Sequence, residues 1–251
     1  MRKRIILLCF LIALATALLS WGPRKIPIPA DGAAAISDGA INLDSASPDA
    51  APKLVTFTFD DGPRRGTTDV LLDGLAERGA KATFFLVGEE IENAPDLVRR
   101  MRDEGHQIGN HTWGHTRLDE SPDAEITREI GQTDALLQET VGEGEYWLRP
   151  PYGFLRQGTE SLLSTPVVLW SVDPRDWESR DTEKVIQAVT ESVKSGDIIL
   201  LHDIYPTSVA AALRLIDALS ADGYEFVTVA ELLRRNGIEP QAGISYRSAN
   251  G

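Results

Sequence analysis

The chain has 251 residues, 42% of them hydrophobic and 25% charged, and its 25 Lys+Arg against 38 Asp+Glu give a net charge of −13. That composition belongs to a globular protein with a full core and excludes collagen-like, coiled-coil and wholly disordered chains. The acidic balance argues against a nucleic-acid partner, which needs cations to neutralise phosphates, and a single cysteine, Cys9, leaves no intramolecular disulfide framework or all-cysteine metal cluster.

Arg2, Lys3 and Arg4 precede an apolar run over residues 5–19, the charged and hydrophobic regions of an export signal. Residues 1–21 read as a signal peptide, with Ala15-Thr16-Ala17 as a small-x-small cleavage site, or as an uncleaved membrane anchor, because Leu18, Leu19 and Trp21 prolong the run. Either route makes the body of the protein extracytoplasmic, secreted or tethered. Residues 22–52 carry Pro23, Pro27, Pro29, Pro48 and Pro52 among Ala, Gly, Ser and Asp, with no sustained apolar period, and read as a flexible linker.

From residue 53 strand and helix patterns alternate. Residues 54–59 (LVTFTF) predict a strand ending at Asp60, and Val70, Leu71, Leu75 and Ala76 give 68–78 a helical period that Gly79 stops. A strand follows at 82–87 (ATFFLV), a helix at 95–104 with Leu97, Val98 and Met101 on one face, and a short extended piece at 106–109. Residues 123–140 predict an amphipathic helix, 146–148 a short strand and 167–171 (VVLWS) another. A helix at 182–194, a buried strand at 198–201 (IILL), a helix at 206–220, a strand at 226–229 and a helix at 230–235 complete the domain, placed at 53–240 with a tail at 241–251. Repeated strand–helix units imply parallel strands with helical crossovers. The fold class is α/β, as a single distorted or incomplete (β/α) barrel, with a flat doubly wound sheet as the alternative.

The unusual polar residues fall at strand ends: Asp60 and Asp61, His111 and His115, Arg149, Asp173 and Asp176, His202 and Asp203. In a parallel β/α architecture those carboxyl ends share one face, where active sites sit. His111 and His115, four residues apart, can present both imidazoles to one ion, although two satisfied or surface histidines would show the same spacing. One of the adjacent carboxylates Asp60 and Asp61 could complete a two-His, one-carboxylate set while the other works as a base. Solvated acids in an Asp-Asp-Gly-Pro turn are the alternative. Arg149 stands before a stiff Pro150-Pro151 step whose next free backbone N–H is that of Tyr152, which suits a developing oxyanion; taken alone, these residues favour a structural Arg at a polyproline turn. A carboxylate beside His202 would raise its pKa and make it a general acid, whereas a capped strand end would leave it structural.

Taken together, Thr58-Phe-Asp-Asp-Gly-Pro63, His111-Thr-Trp-Gly-His115, Arg149-Pro-Pro-Tyr152, Asp173-Pro-Arg-Asp176-Trp177 and Leu200-Leu-His202 resemble, in order, the five motifs of the polysaccharide deacetylase family, the carbohydrate esterases that share the NodB homology domain. The resemblance implies a distorted β/α barrel and hydrolysis of acetyl groups by water activated on a metal, Zn2+ or another divalent ion such as Co2+. It implies Asp61, His111 and His115 as metal ligands, Asp60 as base partnered by Arg149, and His202 as acid partnered by Asp176. Tyr152 would supply an oxyanion N–H, and Trp177 and Leu200 would wall the acetyl pocket. The stretches 173–177 and 200–207 look most like bacterial cell-wall members, so the expected substrate is N-acetylglucosamine in peptidoglycan. Chitin or chito-oligosaccharides and acetylxylan are the alternative substrates, and a non-catalytic glycan-binding module is the alternative class.

Overall fold

The computed structural model describes residues 52–250. The expected signal and all but the last residue of the expected linker lie outside the described residues. Among the described residues, no helix is long and apolar enough to cross a membrane.

The architecture is built around β1 (Lys53–Asp60), buried along its whole length except at Lys53. A strand buried on both faces needs neighbours on both edges and cover above and below. β1 pairs in parallel with β2 (Ala82–Leu86), β5 (Ile198–His202) and, at its start, β6 (Tyr224–Phe226). β3 (Gln107–Asn110) extends the sheet beyond β2. Side chains alternate along β1. Phe57 and Phe59 join the main core with Leu71, Leu72 and Leu75 of α1 (Thr68–Arg78) and Leu215 and Ile216 of α7 (Pro206–Ala221). Thr58 and Asp60 point to the opposite side, where Thr58 bonds the Ile199 carbonyl. Each large apolar side chain removed from water in this way contributes about 1.5–3 kcal/mol. Gly79 stops α1 in the left-handed conformation, φ 63°, and Ala80 N–H closes the turn on the Leu75 carbonyl.

The far side of the ring is closed by single parallel bridges in place of ladders. Asn110 bridges Leu148, Leu148 bridges Val167, and Val172 bridges Ile199. The circuit from β1 through β2, β3, Leu148, β4 (Val167–Val168) and Val172 back to β5 is the expected distorted (β/α) barrel, and a flat doubly wound sheet is set aside. Its irregular side corrects two expected strands. The strand at 146–148 is a bridge at Leu148 alone, because Pro150 and Pro151 follow and have no N–H to continue a ladder. The strand at 167–171 is only two residues long, because its neighbours change: Leu169 N–H bonds Tyr246, whereas Ser171 and Val172 both turn to the Ile198 carbonyl. The segment expected as a tail, 241–251, supplies β7 (Ser245–Tyr246), which pairs with β4.

The remaining helices are α2 (Gly88–Asn93), α3 (Pro95–Asp103), α4 (Asp123–Val141), α5 (Asp176–Ser179), α6 (Thr182–Ser192) and α8 (Val229–Arg235). Neither α2 nor α5 was legible as a helix, since one or two turns carry too few apolar positions to show a period. The expected strand at 226–229 is β6, displaced toward the N-terminus, and its last residue, Val229, opens α8 under a Thr228 cap that accepts from Glu231 N–H.

Candidate active site

The register of the sheet brings two of the site residues together. Asp60, the last residue of β1, is the cross-strand partner of His202, the last residue of β5. The chain then turns at Asp61, whose φ of 74° takes its carboxylate off the strand direction. β3 delivers His111 one residue past its end, and the loop that follows brings His115 back, through left-handed Thr112 and His115, φ 66° and 56°. One Asp61 oxygen lies 3.5 Å from His111 Nε2 and 3.3 Å from His115 Nε2.

These three groups fit a metal ion by their chemistry. One donor atom from each of Asp61, His111 and His115 lies within 4.8 Å of the others. Asp61 Oδ1 is buried with no hydrogen-bond partner, a costly state for a carboxylate oxygen unless a cation meets it. His111 Nδ1 lies 2.7 Å from the Arg149 carbonyl, which only accepts, so Nδ1 carries the proton and Nε2 keeps its lone pair toward Asp61. Burial raises the Asp61 pKa, but the His111, His202 and His115 charges outweigh it and hold the acid down at about 2. Burial and His111 push His115 toward the neutral form that ligation needs. In His111 burial works the same way, but Asp60 and Asp61 raise it overall.

Arg149 connects Asp60 to the cluster of Asp61, His111 and His115. It is fully buried, and its Nη1 donates to Asp60 Oδ1 at 2.8 Å and to Thr58 Oγ1 at 2.7 Å. Its Nε and Nη2 donate to the Val168 and Leu169 carbonyls, and its guanidinium stacks 4.1 Å from the Phe85 ring centroid. A buried charge held by this many partners is fixed in one orientation. Asp176 does the same for His202: one oxygen lies 2.8 Å from Nδ1 and the other accepts His202 N–H at 2.8 Å. Burial alone would depress His202, yet Asp176, with Asp60 and Asp61, raises it to about 9. The carboxylate that acts on His202 is therefore Asp176, not its neighbour Asp203. Asp203 is fully buried, accepts from Thr68 Oγ1 and lies under Gly62, where a Cβ would stand 2.6 Å from its oxygens. Burial pushes Asp203 up to about 7.

A cleft of about 360 Å³ opens over Asp60, Asp61, His111, His115 and His202. Tyr152, Trp177, Leu200, Trp170 and Tyr205 wall it. Tyr152 has φ 62°, and the hydrogen bonds of its turn are made by Gly153 and Phe154, not by its own N–H. The Tyr152 ring packs 4.8 Å from that of His115. All ten residues expected at the site thus lie in the cleft or bond directly to a residue that lines it. Sequence reading missed Thr58, Asn110, Glu129, Trp170 and Tyr205. Thr58 could have been found as the residue two before Asp60 on the same strand face. Asn110 and Glu129 act across long sequence separations. The Asn110 amide donates to the Ile130 carbonyl and to Asp134, its oxygen accepts Thr112 N–H, and Glu129 accepts Gly114 N–H.

Three relatives carry the comparison. A peptidoglycan-N-acetylmuramic acid deacetylase, PdaC of Bacillus subtilis, is 37% identical over 180 residues, 72% of this chain and 38% of its own length. The chain thus spans well under half of the first curated relatives it matches. A peptidoglycan-N-acetylglucosamine deacetylase of Bacillus cereus is 37% identical over 190 residues, 72% of this chain and 89% of the relative. The solved structure of a family 4 acetyl xylan esterase from Clostridium thermocellum, in complex with a cobalt ion, is 33% identical and superposes with a TM-score of 0.74, covering 79% of this chain and all of that one. The polysaccharide deacetylase family model matches residues 47–165. With the barrel, the strand-end site and these relatives in agreement, the chain belongs to the polysaccharide deacetylase family.

Proposed function

We propose that this protein is an exported, zinc-dependent hydrolase that removes N-acetyl groups from N-acetylglucosamine residues of peptidoglycan. The observation that carries the reading is a carboxylate and an imidazole, each held by its own partner, opposed across a triad that suits a metal. Arg149 keeps Asp60 bonded and oriented, while Asp176 keeps His202 protonated, and the two stand in register across β1 and β5.

Asp61, His111 and His115 would hold a divalent ion, which would supply Lewis-acid activation of water and of the acetamide carbonyl. Asp60 takes the proton from the attacking water, held in one orientation by Arg149. The Tyr152 N–H stands for the oxyanion of the tetrahedral adduct. His202, charged at neutral pH, gives its proton to the nitrogen as the C–N bond breaks, so that acetate and a sugar amine leave. Trp177 and Leu200 wall the space for the acetyl methyl. Zinc suits a His2Asp set with open positions, and cobalt is the ion that the similar esterase structure holds. The peptidoglycan names of the relatives and the N-terminal export signal support the substrate and the location.

The test is acetate release by the full chain, with zinc, from purified peptidoglycan and from chitohexaose in parallel. Release from peptidoglycan, abolished by a chelator and by Asp60→Asn, is the expected result. Release from chitohexaose alone would move the substrate to chitin. A chain that binds either glycan and releases acetate from none, including acetylxylan, would be a binding module.

A further inference from the structure

The mouth of the cleft carries more arginine than an acidic protein predicts. Arg117 lies over the Tyr152 and Phe154 rings, Arg175 over Trp177 and Arg180 over Tyr205, at 4.6–5.7 Å from the ring centroids. Their charges are not equally committed. Arg117 pairs with Asp119 at 2.7 Å, and Arg175 with Glu178 at 2.8 Å. Arg180 has no carboxylate within 4.0 Å among the described residues. Its acidic sequence neighbours are engaged elsewhere, Glu178 with Arg175 and Asp181 with Lys184 and the first N–H groups of α6.

Arg180 is also held in place. Its Nε donates to the Trp177 carbonyl at 3.3 Å, and its guanidinium stacks 4.6 Å from the Tyr205 ring centroid, so it bridges two residues that line the cleft. That arrangement fixes one edge of the guanidinium and leaves both terminal nitrogens without a protein acceptor. An exposed, unpaired arginine ordinarily sweeps through many rotamers. One stacked on an aromatic and bonded at Nε has given up that freedom before any ligand arrives, and its planar fork matches a carboxylate.

We propose that Arg180 is a specificity-determining residue that binds a carboxylate carried by the sugar beside the one being deacetylated. The inference rests on the deacetylase reading and deepens it. A chitin strand has no carboxylate, whereas the muramyl residue next to each N-acetylglucosamine in peptidoglycan carries one on its lactyl ether or on its stem peptide. Arg180 thus favours an anionic strand at the rim of a cleft that Asp60, Asp61 and Asp173 also line.

The experiment measures binding apart from turnover. In the full chain carrying zinc and Asp60→Asn, dissociation constants are read for a peptide-free muramyl tetrasaccharide, for the same glycan bearing its stem peptide, and for chitotetraose. The quantity of interest is the preference, the chitotetraose constant divided by the muramyl constant. Adding Arg180→Gln should lower the preference about fivefold, Arg180→Lys should restore part of it, and raised salt should lower it only when Arg180 is present. Loss with the peptide-free glycan assigns the lactyl carboxylate, and loss only with the peptide-bearing one assigns the stem. A preference unchanged by Arg180→Gln on both muramyl glycans overturns the proposal. Acetate release by the chain with Asp60 intact is scored separately, so that an inactive protein would sink the deacetylase reading without touching the binding result.

Discussion

Arg149 shows how much of this site depends on one side chain. It is the largest fully buried residue, and Asp60, Thr58 and two backbone carbonyls all depend on its donors. Arg149→Ala would leave the Asp60 carboxylate buried without a cation, at about 3–5 kcal/mol of unfolding free energy, to be read from urea titration. A midpoint within experimental error of the wild type would show that water replaces the guanidinium. His202 offers a sharper test, because its folded value near 9 stands above 6.5. A raised histidine contributes stability that is fully present below pH 6.5 and lost as the pH climbs through 9. Asp176→Asn removes the largest raising partner and leaves burial, which depresses, against the weaker pull of Asp60 and Asp61. In zinc-free protein the imidazole resonances should then titrate well below 9, and most of the loss of stability between pH 6.5 and 9 should disappear. A His202 titration unmoved by Asp176→Asn would mean that another charge holds the proton. The six non-glycine residues with left-handed backbone among the described residues are Asp61, Thr112, His115, Tyr152, Arg175 and Arg180, each belonging to a site loop or to the rim. Each costs about 1–3 kcal/mol, offset by the packing around it. Sequence motifs located four of these loops but could not reveal the strain, which depends on φ values that no residue type dictates.

At the scale of elements, β1 and β5 were legible because runs such as LVTFTF and IILL are buried on both faces, and their polar ends marked the site face. The supports of the metal loop were not legible, because they lie on α4, whose sequence reads as an ordinary amphipathic helix. Asn110 ties that helix to the loop: it donates to Ile130 and Asp134, accepts from Thr112, and its own carbonyl accepts Arg149 N–H. Asn110→Ala would free Thr112, the left-handed residue between the two imidazoles, and loosen His115 relative to His111. Zinc affinity, measured by competition with a chromophoric chelator, should fall about 10–100-fold, the range seen when ligand-orienting partners are removed. A variant with a lower melting temperature and an unchanged zinc affinity would reduce Asn110 to a purely structural contact.

The described residues form a barrel whose regular half carries Asp61, His111 and His115 and whose irregular half carries Arg149. That division explains why the sequence reading found the barrel yet took residues 241–251 for a tail: a two-residue strand has no period, and its partner, β4, is equally short. The segment is integral. β7 pairs with β4, Tyr246 and Ala249 pack on the cluster around Leu54, Ile198 and Leu232, and Ala249 N–H bonds the Gly196 carbonyl. Ending the chain at residue 240 should cost about 3 kcal/mol through lost burial and the hydrogen bonds that Gly243, Ile244, Tyr246 and Ala249 make to the rest of the chain, and lower the melting temperature by roughly 10 °C. The consequence reaches the site by a traceable path. Leu169 N–H bonds the Tyr246 carbonyl, and the carbonyls of Val168 and Leu169 in turn hold the Arg149 guanidinium that orients Asp60. Asp61, His111 and His115 come instead from just past the ends of β1 and β3 and from the loop after β3, and neither strand pairs with β7. The truncated protein should therefore lose less zinc affinity, which is linked to the tail through the Arg149 carbonyl on His111, than kcat, which should fall at least tenfold. Equal losses in zinc affinity and kcat would mean that the barrel responds as one body and that the tail has no separate route to the base.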